Sequence, residues 1–484
     1  MYIQGFSLPA NYQFILFSLL TLASVAASIA LEQPLLMGLP VAVLTALLML
    51  FNLSSVYKLF FILLPLSIEY DFSTTLATDL PSEPLMVALM VAGLMYYLLN
   101  PKQWQRRFIN HPIIVLLLLQ IIWISIAALY STNSLVSVKF LLAKTWYIFT
   151  FVFVTNLFVK KDTDFKSIII GMSAVMVLLI IRNVYLHALT DFDFQRANNV
   201  VQPFFRNHVN YAVFITLLVP MLLFALRWFK KGKIPRLLAQ LGLAILFLGI
   251  ALAFTRAAYV GLLAIPLVTY LVRKKLMATA LNLVFGALLL FVVFVASNNN
   301  FIKFAPEYET TVYHANLEDH IIATFQGKDI SFAERVYRWV AAGHMIGERP
   351  LTGFGPGNFY NSYRPYTVER FKTYVSDNLE KSGVHCYYLM LAADQGLPGL
   401  LLFALMIYYT FIRGQNLYHR LDDPKQKAFV LVFLQIVAIV LINLLVSDLI
   451  EVDKIGTIFY TAISIIAGFD ARYAIAPKQQ PNIN

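Results

Sequence analysis

Apolar stretches separated by short polar connections recur from one end of the chain to the other, at 13–31, 34–52, 57–69, 84–100, 112–130, 140–159, 167–188, 209–227, 237–254, 257–272, 276–296, 397–412, 428–447 and 455–470. Most are long enough to cross about 30 Å of hydrocarbon as a helix. The third is short, and the ninth and tenth nearly touch at Arg256. The pattern predicts an all-α polytopic membrane protein with about twelve to fourteen transmembrane helices.

The polar connections order these helices in the membrane. Lys and Arg cluster in five of them: at Lys102, Arg106 and Arg107; at Lys160, Lys161 and Lys166; at Lys230, Lys231, Lys233 and Arg236; at Arg273, Lys274 and Lys275; and at Arg413, Arg420, Lys425 and Lys427. By the positive-inside rule all five are cytoplasmic. Both termini are then expected in the cytoplasm, and 70–83, 131–139, 189–208, the corner at 254–256, 297–384 and 448–454 face outward.

One outward connection is far longer than the rest. Residues 297–384 hold ten acidic and nine basic side chains, so the segment is nearly neutral, and it is rich in Tyr, Phe and Trp. That composition favours an ordered, interfacial loop carrying short helices over disorder. Three regions follow: membrane helices over 1–296, the large loop over 297–396, and further helices with a cytoplasmic tail over 397–484.

Composition narrows the class. Of 484 residues, 59% are hydrophobic and 13% charged, which no water-soluble core could accommodate. The net charge of +11 sits in juxtamembrane clusters rather than in a soluble basic module, which argues against nucleic-acid binding and for contact with membrane lipids. A single cysteine, Cys386, rules out an intrachain disulfide. The first apolar run resembles a signal peptide in its small residues Ser24 to Ser28, but no basic residue precedes Lys58, so a retained helix is expected.

Several residues stand out against this background. His385 begins the stretch His-Cys-Tyr-Tyr-Leu-Met-Leu-Ala-Ala-Asp-Gln-Gly, in which 385–395 read as a short helix ended by Gly396-Leu397-Pro398-Gly399. It serves there either as a helix-terminal contact or as a functional imidazole. Upstream, Arg335, Arg338 and Trp339 fall within five positions, and on a helix Arg335 and Trp339 share a face. Gly353, Gly355 and Gly357 alternate in a turn whose N–H groups either form an anion nest or only turn the chain. Arg256 interrupts an apolar region with no carboxylate within twenty residues, and is either a snorkelling side chain or a site residue. Arg206, beside Asn207, His208 and Asn210, carries the same two readings.

Together these motifs resemble the O-antigen ligase and polymerase family of bacterial membrane glycan transferases. The resemblance rests on an arginine four residues before a tryptophan (Arg335, Trp339) and on a Pro-Leu-x-Gly-x-Gly-x-Gly-x-Phe element spanning Pro350 to Phe359. It rests also on the ligase-type spacing His-x10-Gly-x-x-Gly at His385, Gly396 and Gly399. Cys386 departs from the Asn, Ser or Gln of the ligase pattern. Arg256 looks like the family's arginine at the outer end of a mid-chain helix, and Arg206 like the one before an Asn-rich helix start.

The resemblance implies transfer of a glycan from an undecaprenyl-diphosphate carrier to a hydroxyl acceptor on the periplasmic side of the inner membrane. The acceptor is lipid A core for a ligase, another carrier-linked glycan for a polymerase, or a protein hydroxyl for an O-oligosaccharyltransferase. His385 would act as base, with Arg256 and Arg335 on the leaving diphosphate and Arg206, Arg338, Gly355 and Gly357 in support. Attack from the face opposite the diphosphate inverts the anomeric carbon. No cofactor or metal is expected, although Asp191-Phe192-Asp193 has a form some metal-dependent glycosyltransferases use. A flippase or secondary transporter is the reading from another class; it calls for repeats and a midplane row of polar groups, and Lys144, Arg182, Arg256, Asp394 and Asp448 form no such row.

Overall fold

The computed structural model describes residues 10–32, 39–73, 76–305, 330–373, 376–378 and 381–473. Helices α1 (Ala10–Ala30) and α2 (Leu39–Leu63) lead into a hairpin of β1 (Ile68–Ser73) and β2 (Leu76–Leu80). Helices α3 (Ser82–Leu99), α4 (Pro112–Leu129), α5 (Ser134–Phe158), α6 (Lys166–Ala188), α7 (His208–Ala225), α8 (Ile234–Ala251), α9 (Arg256–Arg273) and α10 (Met277–Ala296) follow. The large loop carries α11 (Ile330–Glu348), and the chain closes with α12 (Tyr387–Arg420), α13 (Pro424–Asn443) and α14 (Asp453–Tyr473). Eleven of these helices are long and apolar enough to span a bilayer, with shorter apolar helices at Ser18–Ala30 and Asn52–Leu66. The protein is an all-α polytopic membrane protein.

Differences from the expected pattern have local causes. The stretches 34–52 and 57–69 meet in one helix, α2, broken at Asn52, whose φ of −151° and ψ of 71° are not helical. The hairpin was not expected; Ile68-Glu69-Tyr70-Asp71 and Leu76-Ala77-Thr78-Asp79-Leu80 mix apolar with polar positions as a half-buried strand pair does, and Glu69 pairs across from Asp79. The corner expected at 254–256 separates α8 from α9, with Phe254 at a φ of +50°.

α14 is enclosed from Asp453 to Ala471, whereas Met277 alone is buried in α10. α12 lies along α4 and α14, and α9 along α13. The connections sort into two groups at opposite ends of the bundle. At one end His111 contacts Asp470 at 2.9 Å, Arg420 pairs with the same carboxylate, Trp228 donates to Asp162 (2.9 Å) and His419 meets the Val272 carbonyl (2.9 Å). These contacts lie in or beside the five basic connections. At the other end Lys454 donates to the carbonyls of Ser67 (2.7 Å) and Phe204, Thr132 N–H to that of Phe354 (3.0 Å), and His385 N–H to Asp448 (3.3 Å). The connections read as outward therefore share one end.

Candidate active site

His385 lies at the foot of α12, in a turn that places it in the left-handed region at a φ of +56°. Histidine tolerates this region better than most residues but still at a cost, so the surroundings must hold it there. Asp448, in the connection between α13 and α14, supplies the restraint. Its Oδ2 accepts the His385 N–H at 3.3 Å and also closes over Gly383, where a Cβ would come within 2.5 Å of that oxygen. Tyr387 N–H then bonds the Leu444 carbonyl at 3.0 Å, so the start of α12 is tied to the end of α13 on both sides of Cys386.

α11 brings two arginines to this turn. Arg338 is 6% exposed, pairs with Glu334 one helical turn back (3.5 Å) and donates to the Gly383 carbonyl at 3.4 Å. Arg335 donates to the hydroxyl and carbonyl of Ser331 at 2.9 and 3.2 Å. Glu334 in turn accepts from Thr373 and from Ser376 (2.5 Å), which fastens the helix to the segment before His385.

The electrostatics follow from this packing. Burial, then Arg338, then Arg335 lower the His385 imidazole from its ordinary 6.5 to about 3, so it stands neutral at physiological pH with its lone pair free to accept a proton. Asp448 moves the opposite way. Burial and the neighbouring Glu451 push its carboxyl up to about 7, against the lowering effect of the His385 N–H and Arg338.

The structure thus gathers His385, Arg335 and Arg338. Arg206 and Arg256 belong to an adjoining region: Thr255, the residue before Arg256, donates to the His208 carbonyl at 3.5 Å. Arg206 lines a cavity of about 330 Å³ together with Asn210, Asp79, Glu451 and Lys454. That cavity shares a turn with the histidine site, since Glu451 N–H bonds the Asp448 carbonyl at 3.1 Å. Glu451 also receives Lys144 at 2.6 Å, a buried lysine on α5 whose charge needs such a partner in a membrane bundle.

Of the two readings of the glycine turn, the N–H groups of Gly355 and Gly357 follow the one in which it only turns the chain, since both are bonded within the protein. The N–H of Gly355 donates to the Asp394 carbonyl and that of Gly357 to its carboxylate, both at 2.9 Å. Phe354 N–H takes the Ala393 carbonyl (2.9 Å), Leu397 N–H the Pro350 carbonyl (2.7 Å), and Trp123 the Gln395 carbonyl (2.7 Å). The Ala393, Asp394 and Gln395 carbonyls are freed because α12 breaks at Gly396, with φ 71° and ψ 177°, where the chain leaves the helix and restarts at Pro398. The glycine turn is the cap of that break. A Cβ at Gly353 would meet the Asp394 backbone at 2.5 Å, and one at Gly355 the Ser131 side chain at 2.3 Å.

Asp191 and Asp193 are engaged locally: the Asp193 carboxylate accepts the Gln195 N–H at 3.0 Å, and Asp191 sits at a φ of +51°. Among the described residues no three His, Cys, Asp or Glu side chains converge as a metal site requires.

Residues 241–404 match the family described as O-Antigen ligase. This region belongs to the O-antigen ligase family. The O-antigen ligase match takes in Arg256, Arg335, Arg338 and His385, while Arg206 and Asp448 lie outside it. No curated protein matches the chain. Asp448 is the residue that sequence reasoning missed as a partner of His385; its sole signal was to be one of three acids, with Glu451 and Asp453, in an outward connection.

Proposed function

We propose that this protein transfers a glycan from an undecaprenyl-diphosphate carrier to a hydroxyl acceptor at the periplasmic face of the inner membrane, in the manner of an O-antigen ligase. The observation that carries the reading is a neutral imidazole, His385, fixed in a restrained turn within the field of Arg338 and Arg335.

In this reading the acceptor O–H gives its proton to His385 as its oxygen attacks the anomeric carbon. The bond from that carbon to the diphosphate oxygen breaks on the opposite face, inverting the centre. The leaving diphosphate gathers negative charge that Arg335 and Arg338 stabilise in this reading, with Arg256 and Arg206 in support. The same anion answers a difficulty. An imidazole of pKa about 3 is a weak base, but part of that depression comes from the arginines. A bound diphosphate offsets their charge and returns His385 toward the range where general bases work best.

A polymerase, with a second carrier-linked glycan as acceptor, is the nearest alternative, favoured by Cys386 where the ligase pattern has Asn, Ser or Gln. Deleting the gene and analysing surface glycan separates the two. Loss of attached polymer with long carrier-linked chains still present marks a ligase, and single repeats mark a polymerase. Restoration of normal glycan by the His385→Ala protein would refute the mechanism.

A further inference from the structure

Lys144 is buried within the bundle and takes no part in the proposed chemistry. Its ammonium, carried by α5, lies 2.6 Å from Glu451 Oε1 and 3.2 Å from the Tyr460 hydroxyl. It also stands over three aromatic rings, 5.3 Å from the centroid of Phe140, 5.5 Å from that of Tyr460 and 5.8 Å from that of Tyr387. Stability does not account for a charge in this position, because a buried ion pair can often be exchanged for apolar side chains of similar volume without loss. Its contacts do account for it. Tyr387 is the first residue of α12, two positions after His385, and Glu451 ends the short turn Leu449–Glu451 that Asp448 opens.

The two segments that fix His385 therefore meet on one ammonium. From Glu451 a backbone bond of 3.1 Å leads to the Asp448 carbonyl, and the Asp448 carboxylate accepts the His385 N–H at 3.3 Å. From Tyr387 the N–H reaches the Leu444 carbonyl at 3.0 Å, on the far side of Cys386. Lys144 is not one of the residues lining the cavity that Glu451 shares with Arg206, so its reach is to the turn and not to a substrate there. We propose that Lys144 is a positioning residue for the transfer, clamping Tyr387 and the Asp448–Glu451 turn together so that the backbone of His385 stays in its left-handed conformation. The inference rests on the transferase reading and adds to it a residue outside the loop and the arginines. The same helix carries an internal control. Nearer its N-terminus Ser137 holds the glycine turn, donating to the Pro356 carbonyl at 2.9 Å and accepting from the Asn358 side-chain amide at 2.8 Å. A general loosening of α5 would free both turns, whereas loss of the clamp frees that of His385 alone.

Hydrogen–deuterium exchange on the full-length protein in nanodiscs, together with steady-state kinetics, tests this in Lys144→Met. The peptide holding His385 and Tyr387 should exchange about 10-fold faster than in the native protein, and the peptide holding Gly355 and Gly357 should stay within about twofold. The kcat should fall by about 10-fold to 100-fold, as expected of a reacting group displaced by an ångström or less, with KM for the carrier-linked donor within about twofold. Lys144→Met with Glu451→Gln buries no unpaired charge and serves should the single variant not fold; the same local exchange and the same loss of kcat are expected of it. Faster exchange at both turns together, unchanged exchange at the His385 turn, or a loss carried by KM alone overturns the proposal. The exchange measurement needs no turnover, and glycan transfer by His385→Ala tests the transferase reading separately.

Discussion

The backbone N–H of His385 donates to Oδ2 of Asp448, 3.3 Å away and 63 residues further along the chain. The bond holds a histidine in a backbone region it would not otherwise keep, and it joins the large loop to the connection between the last two helices. Asp448→Asn preserves shape but weakens the acceptor, and hydrogen bonds to charged groups are worth about 1.5–3 kcal/mol. Transfer should fall by roughly 10-fold to 100-fold, with binding of the carrier-linked donor little changed. A purified-enzyme assay that separates kcat from KM checks this. An equal loss in KM alone would assign Asp448 to substrate binding.

His385→Ala should lower transfer by about 10² to 10⁴, the usual contribution of a positioned acid or base. Thermal unfolding in detergent should show the helical bundle intact, because the side chain lies at the end of the bundle rather than within it. Retained glycan attachment in cells carrying this variant would count against the base assignment.

The two shifted groups act on stability with opposite sign. His385 is lowered to about 3 from 6.5, so between those values the unfolded chain holds a proton that the folded one lacks. Its contribution is therefore complete above 6.5 and lost as pH falls toward 3. Asp448 is raised to about 7 from 3.8, so its contribution is complete below 3.8 and lost as pH rises through 7. Unfolding midpoints followed from pH 4 to 8 should fall less steeply between pH 4 and 7 in Asp448→Asn than in the native protein. Histidine NMR gives the companion test: Arg338→Gln should move the His385 titration up from about 3 toward 6.5. No movement would mean that burial and Arg335 set it.

Gly396→Ala should destabilise the protein by roughly 1–3 kcal/mol through backbone strain alone. A Cβ there would also lie 2.0 Å from the Leu351 carbonyl oxygen, so the glycine turn must shift as well. A lowered unfolding midpoint accompanied by lost transfer is the expected result. A neutral outcome would show that the helix break can close.

Transfer should persist in a strong chelator, because charge stabilisation is assigned to guanidinium groups and Asp193 is engaged in a local turn. Activity lost to chelation and restored by a divalent ion would reassign the chemistry.

The membrane framework is legible in the sequence because the bilayer sets both of its signals: the length of an apolar run and the side on which Lys and Arg collect. His385, Arg335 and Arg338 are legible through spacing, since each sits at a fixed offset from a glycine or a tryptophan. Asp448 is not, because its partner lies 63 residues away and nothing in Ser447-Asp448-Leu449 marks the contact. The acidic hairpin is missed for a related reason: a pair of short strands between two membrane helices has too few residues for its period to stand clear. Gly355 and Gly357 mislead in the other direction. Their pattern signals a turn rich in N–H donors, but only tertiary contact shows that Asp394 takes them.

The break in α12 has a consequence for protein engineering. The turn from Pro350 to Gly357 and the helix ending at Gln395 complete each other's hydrogen bonds, so neither is a portable cassette. A chimera that grafts the histidine segment from another protein without its glycine turn would leave carbonyls bare inside a membrane bundle. Swaps of this kind should be made across both stretches at once.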